Sequence, residues 1–200
     1  MSDELSDLQA ACSSCRTCAE QGLIAEAKPI FEGRRDAEFF LIGQAPGPVE
    51  HGLRRPFMGR AGHELERWMI RAGFSSGEDF RRHTYIAAMM RCFPGRNTSG
   101  SGDRPPSAAA IRNCSGWLEA ELKLVRPRAV LLVGQLAAGR FLGPAPLAER
   151  VGQAFGSDPV LLPLPHPSGT SRWLNAPANR ERLTRALDTL SGLRERWIGG

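Results

Sequence analysis

Five cysteines carry the most distinctive chemistry in the chain. Cys12, Cys15 and Cys18 crowd one N-terminal segment, and Cys92 and Cys114 lie far downstream. In a reducing compartment, a Cys-x-x-Cys pair with distant thiols reads as a metal or cluster site rather than a disulfide framework. A second candidate is His166, held between Pro165 and Pro167 and followed by Ser168. The prolines restrict the backbone and so fix the direction of the imidazole. Most lone histidines are structural, but this one falls at a predicted strand C-terminus opposite a glycine-rich loop, which favours a functional role. A third candidate is the run Gly43-Gln44-Ala45-Pro46-Gly47-Pro48, followed by Arg55-Pro56-Phe57-Met58-Gly59-Arg60-Ala61-Gly62. Its glycines let backbone N–H groups approach a ligand, and its prolines stiffen the loop in advance. Phe57 in such a loop could stack on a flat ring, although an isolated phenylalanine also serves as core.

These residues need a scaffold, and the hydrophobic pattern supplies one. The pattern predicts a helix over 3–18, a buried strand over 38–43, an amphipathic helix over 61–73 and a strand over 84–89. A polar Gly/Ser/Pro-rich loop spans 94–106, after which Ser107 caps a helix reaching about 124. A strand over 129–133, a helix over 135–142, a strand over 160–164 and a helix over 178–197 complete the order. Strand–helix alternation without an internal repeat predicts a parallel sheet covered on both faces. Ligands bind such sheets at the C-terminal ends of the strands. The loops there begin near Gly43, Met90, Gly134 and Pro165, so three of the four carry the unusual residues.

Two hundred residues suffice for one α/β domain with its own core, and the whole span 1–200 is expected to be one domain. No apolar run approaches a membrane span, and the N-terminus shows no basic-then-apolar leader. A cytoplasmic monomer is expected. The net charge of +5 comes almost entirely from arginine, with Lys28 and Lys123 the only lysines. Arginine forks match phosphate geometry, but a GC-rich coding sequence gives the same bias, so charge alone does not establish a nucleic-acid partner.

The ordered set of motifs resembles the iron–sulfur, family 4 branch of the uracil-DNA glycosylase superfamily. Cys15-Arg16-Thr17-Cys18, Gly43–Gly47, Pro56–Gly62, Arg91-Cys92-Phe93-Pro94, Cys114 and His166-Pro167-Ser168 stand in that branch's order, over about residues 12–190. The resemblance implies a three-layer α/β/α fold with a central four-stranded parallel sheet. It implies DNA, duplex or single-stranded, as the substrate. It also implies a [4Fe–4S] cluster on Cys15, Cys18, Cys92 and Cys114, a role four thiolates can fill. Tetrahedral zinc suits four cysteines equally well. Cys12 is then the spare. The implied mechanism is base flipping. Phe57 would stack on the extruded base, with the backbone amides of Gln44 and Ala45 on its carbonyl edge. His166 would donate to the charge that develops on the leaving base. The segment from Ser168 to Asn175 would press into the duplex, with Arg172 on a phosphate and Trp173 or Leu174 filling the gap in the stack. Trp173-Leu174 also reads as an apolar pair opening a helix.

Two departures stand out. The branch carries Glu where this chain has Gln44, and an amide can be neither a general base nor a charge. It carries Asn at the position of Ala88, which has no side-chain group to read a base edge. Glu50 or His51 is expected to take over the positioning of water. The arginine-rich loop over 94–104 is an insertion relative to the branch's Cys-to-Cys spacing, either a DNA contact or a surface excursion. Three functional readings follow. One is a DNA-repair glycosylase removing uracil or a related deaminated base, similar to family 5 in lacking part of the polar pair. The second is a catalytically weak or inactive DNA-binding protein on a glycosylase scaffold. The third is a glycosidase acting on something other than duplex DNA.

Overall fold

The structure, a computed structural model, describes residues 3–98, 102–168 and 172–199. Four five-residue strands form its centre: β1 (Phe39–Gly43), β2 (Thr84–Ala88), β3 (Ala129–Val133) and β4 (Val160–Leu164). All pair in parallel, in the order β2-β1-β3-β4. β1 to β3 are buried along their whole length, as strands covered on both faces must be.

Alternation along the strands sorts the core into two layers. Phe39, Leu41, Ala129, Leu131 and Val133 face one side, where Leu65, Trp68 and Met69 of α4 (Arg60–Arg71) pack. Leu183, Ala186, Leu187 and Leu190 of α8 (Pro177–Ile198) share that layer. Phe40, Ile42, Val130 and Leu132 face the other side. There they meet Leu5 of α1 (Glu4–Ser13), Leu118 and Val125 of α6 (Ala108–Val125), and Ala137 and Ala138 of α7 (Gly134–Leu142). The result is the expected three-layer α/β/α arrangement. Among the described residues no helix is long and apolar enough to cross a membrane.

Three local expectations change. The helix expected over 3–18 breaks after Ser13 and resumes as α2 (Thr17–Glu20). The intervening Ser-Cys-Arg carries no apolar stripe to hold a helix on the core, and Arg16 Nη1 instead donates to the carbonyls of Ser13 and Cys15. Two short helices, α3 (Pro48–Leu53) and α5 (Gly77–Arg82), were not expected, because six residues are too few to reveal a period. The described residues of the loop over 94–106 are tied to one another. Arg96 and Asp103 form an antiparallel bridge, and Arg104 Nε donates to the Pro94 carbonyl at 2.8 Å. Ser107 does cap α6, accepting from the Ala110 N–H at 3.2 Å.

Candidate active site

The strand order fixes where a ligand can enter. From β1 the chain moves outward to β2 and then returns across the sheet to β3, so the loops after β1 and β3 diverge. That divergence is the crevice in which parallel sheets bind ligands. The strand ends stand in register there. Gly43 pairs with Ala88, Ile42 with Leu132, and Val133 with Leu164, two residues before His166. A Cβ on Gly134 would lie 3.6 Å from the Cβ of His166, which places the histidine over the end of β3. Gln44, Ala45, Ala88 and His166 therefore share one edge of the sheet.

Phe57 joins them through a constrained loop. Its backbone is left-handed, with φ of 53°, a conformation that L-residues adopt rarely. Four backbone groups of this loop are held from outside. Arg81 Nη2 donates to the carbonyls of Pro56 and Phe57 at 2.9 and 3.2 Å. Glu50 Oε1 accepts from the N–H groups of Met58 and Gly59, both at 2.8 Å. Helix α4 starts so close that any side chain on Gly62 would overlap the Phe57 carbonyl. The ring lies against Gly43, where a Cβ would meet its Cζ at 3.2 Å, and it is only half-buried. The glycine at 43 is thus the space in which Phe57 sits.

The ring nitrogens of His166 are distinguishable. The Ser168 N–H donates to Nδ1 at 3.2 Å, which makes Nδ1 the acceptor and leaves the proton of a neutral imidazole on Nε2. Burial pushes its pKa below the usual histidine value, favouring the neutral form. The site thus offers an Nε2–H donor without a positive charge. Among the described residues the N–H groups of Gln44 and Ala45 have no protein acceptor, while the Gln44 carbonyl accepts from Met90 N–H at 3.2 Å.

Glu50 and His51, expected as candidates to position water, both have partners within the protein. Besides Met58 and Gly59, the Glu50 carboxylate accepts from Gly47 N–H at 3.1 Å, so both its oxygens are taken by the loop. The spacing Gly47-Pro48-Val49-Glu50, an N-cap with proline next and glutamate third, carried that signal. His51 turns away to Glu26, with Nε2 at 3.0 Å from Oε2, and packs beside Phe93. Arg81 was not singled out at all, because no local pattern marks a side chain that works across 24 residues.

Trp173 and Leu174 form a 3₁₀ turn (Arg172–Asn175), half-buried against the α4/α8 layer. The Trp173 carbonyl accepts from Asn179 Nδ2 at 2.9 Å, and that of Leu174 from Arg180 Nη1 at 3.0 Å, so α8 anchors the turn. Residues 169–171 and the side chain of Arg172, expected to hold a phosphate, lie outside the described residues.

The cysteines gather at the other end of the β2 loop. Cys12, Cys15, Cys18, Cys92 and Cys114 line one cavity, together with Pro29, Arg91 and Trp117, and none is in a disulfide. Polar groups already face the sulfurs. Asn113 Nδ2 lies 3.4 Å from Cys18 Sγ, and the backbone beside Cys92 and Cys114, at Lys28 and Arg91, favours their thiolates. Burial pushes the Cys12 and Cys92 thiols up to about 12, so a bound cation would have to displace their protons. Among the described residues no three His, Cys, Asp or Glu side chains are gathered tightly enough to hold a single metal ion. Cys12, the expected spare, lines the cavity with the other four.

Comparison with known proteins agrees with this arrangement. The sequence model of the Uracil DNA glycosylase superfamily matches residues 30–191. The chain is 28% identical over 136 residues to the Type-4 uracil-DNA glycosylase of Archaeoglobus fulgidus, covering 68% of this chain and 62% of that protein. It is 27% identical over 154 residues to the Type-4 uracil-DNA glycosylase of Pyrobaculum aerophilum, covering 76% and 72%. To the Type-5 uracil-DNA glycosylase of the same organism it is 43% identical over 117 residues, covering 52% and 48%. The chain thus spans from about half to seven-tenths of the length of these relatives. With the family model spanning most of the chain, and the strand-end loops where such a sheet binds its ligand, this chain belongs to the uracil DNA glycosylase superfamily.

Proposed function

We propose that this chain is a DNA-repair glycosylase that flips uracil, or a related deaminated base, out of DNA and hydrolyses its N-glycosidic bond. The observation that carries the reading is the state of His166. Burial favours its neutral form, and its Nδ1 accepts from the Ser168 N–H at the same sheet edge as the restrained Phe57. Excision breaks the bond between C1′ of the sugar and the base nitrogen, and the bonding electrons leave with the base. The Nε2–H of His166 donates to the carbonyl oxygen on which that charge collects. Such a preorganised donor acts most strongly in the transition state. Phe57 stacks on the extruded base, and the N–H groups of Gln44 and Ala45 bind its carbonyl edge. Water then adds to the electron-deficient C1′ and releases its proton to solvent. Glu50 serves this chemistry by positioning the Phe57 loop, through the three backbone N–H groups that its carboxylate accepts.

Gln44 can orient that water through its amide oxygen but cannot take its proton. Ala88, beside Gly43, leaves the base edge unread on that side, which widens the range of bases accepted. Ser168, Arg172, Trp173 and Leu174 contact the DNA, the apolar pair standing where the flipped base leaves the stack. Cys15, Cys18, Cys92 and Cys114 hold a [4Fe–4S] cluster. Thiols spread around a shared cavity, with polar groups beside their sulfurs, suit a polynuclear cluster better than a lone ion. When bound, the cluster supplies a cross-link among the N-terminal segment, the loop after β2, and α6. The enzyme acts as a cytoplasmic monomer and as a single domain over 1–200. The test is incubation with oligonucleotides bearing uracil, hypoxanthine or xanthine, followed by scoring of abasic sites. Abasic sites at uracil support the reading. DNA binding without any cleavage moves the assignment to an inactive scaffold, and neither binding nor cleavage moves it to another glycosidic substrate.

A further inference from the structure

Arg91 precedes Cys92, yet its side chain does not reach solvent. It is 1% exposed and pairs through Nη2 with Oε2 of Glu121 on α6, which is fully buried. The pair is incomplete. Arg91 Nε and Nη1 are buried without a hydrogen-bond partner among the described residues, as is Glu121 Oε1. Buried donors without acceptors are costly and call for an explanation. Arg91 lines the same cavity as the five cysteines. Two guanidinium nitrogens with open N–H groups, and a positive charge in a thiol-lined cavity, fit an anionic occupant with acceptor atoms on its surface.

We propose that Arg91 is a contact to the iron–sulfur cluster beyond its four thiolates. Its guanidinium donates N–H groups to cluster sulfur, and Glu121 sets how much of its positive charge the cluster feels. This inference rests on the cluster reading above. Four thiolates around a [4Fe–4S]²⁺ core carry a net charge of 2−, and uptake of one electron makes it 3−. A cation nearby stabilises the more negative form, so Arg91 raises the reduction potential and slows loss of iron. Glu121 opposes it from behind. The two residues therefore act with opposite sign on the potential, which a purely structural ion pair does not.

The experiment uses full-length protein purified without oxygen, as wild type and as Arg91→Met, Arg91→Lys and Glu121→Gln. The reduction potential is read by voltammetry, with the electrode supplying the single electron. Iron release to a strong chelator is timed by the fading of cluster absorption. Arg91→Met should shift the potential to a more negative value and release iron several-fold faster. Glu121→Gln should shift it the other way, and Arg91→Lys should fall between wild type and Arg91→Met. A tenfold change in relative affinity for the reduced form corresponds to about 59 mV for one electron. Should Arg91→Met fail to fold, Arg91→Lys and Glu121→Gln still give the two signs. Should no couple lie within range, the order of iron-release rates decides. Shifts in the same direction, or potentials and release rates that match wild type, overturn the proposal. A wild-type protein holding zinc and no iron overturns the cluster reading first, and this inference with it.

Discussion

One guanidinium nitrogen of Arg81 donates to the carbonyl oxygens of Pro56 and Phe57, at 2.9 and 3.2 Å. Its neighbour Nη1 pairs with Glu32 Oε2 at 2.6 Å, and Glu32 in turn pairs with Arg55 at 3.0 Å. The loop that carries Phe57 is thereby fixed to α5 by a side chain that touches no reacting atom. Arg81 is a positioning residue, and its effect should pass through the Phe57 ring.

That dependence is measurable as a double-mutant cycle. Stacking of a base on an aromatic ring is worth about 1–3 kcal/mol, so Phe57→Ala should slow single-turnover excision by roughly that amount. Arg81→Ala should slow it in the wild-type background and add little in the Phe57→Ala background, because coupled residues are not additive. Fully additive effects would show that Arg81 acts elsewhere.

Glu50→Gln removes a carboxylate that accepts three backbone N–H groups and puts an NH₂ donor among them. Leaving buried donors unmet costs about 1–3 kcal/mol, which for a chain of this size lowers Tm by roughly 2–4 °C per kcal/mol. Thermal unfolding followed by circular dichroism checks this. An unchanged Tm would mean that the three bonds do not brace the loop.

The lowered pKa of His166 sets the direction of a pH effect. The neutral ring is the donor, and burial favours it, so excision should persist below the ordinary histidine pKa of about 6.5 and fall only as the pH drops through the lowered folded value. Stability should follow the same sign. Below pH about 6.5 the unfolded chain binds a proton that the folded chain refuses, so stability is lost toward acid. A His166→Gln variant should lose the histidine part of both slopes. A wild-type rate that rises on acidification would contradict the neutral donor.

Gln44→Glu tests the role left vacant by the amide. If the absence of a carboxylate limits attack by water, the change should raise the rate on uracil. The N–H groups of Gln44 and Ala45 are backbone and are unaffected, so base binding should stay near wild type. A slower enzyme with normal binding would mean that the site has adapted to the amide.

Much of this site was legible in the sequence, because its parts sit where periodicity changes. The strands over 129–133 and 160–164 match β3 and β4 residue for residue. The glycine loop and the His-Pro loop fall at the ends of β1 and β4, at the sheet edge from which a ligand would be bound. What was not legible depends on distance. Arg81 reaches the carbonyls of Pro56 and Phe57, and Arg91 reaches Glu121 30 residues away, through tertiary packing that no local pattern encodes. The bracing role of Glu50 was also hidden, because it depends on the folded path of the loop. The loop with its left-handed Phe57 leaves the N–H groups of Met58 and Gly59 to be satisfied, and Glu50 accepts both.

The central claim is that this chain breaks a glycosidic bond in DNA with His166 as the donor. It is tested most directly by single-turnover cleavage of a uracil-bearing oligonucleotide by wild type and His166→Ala, with DNA affinity measured in parallel. Removing one preorganised donor costs about 10²–10³ in rate. The account predicts wild-type cleavage, a loss of about that size in His166→Ala, and nearly equal DNA affinity for the two proteins. Wild-type cleavage undiminished in His166→Ala, or no cleavage by wild type of any deaminated base, would contradict it.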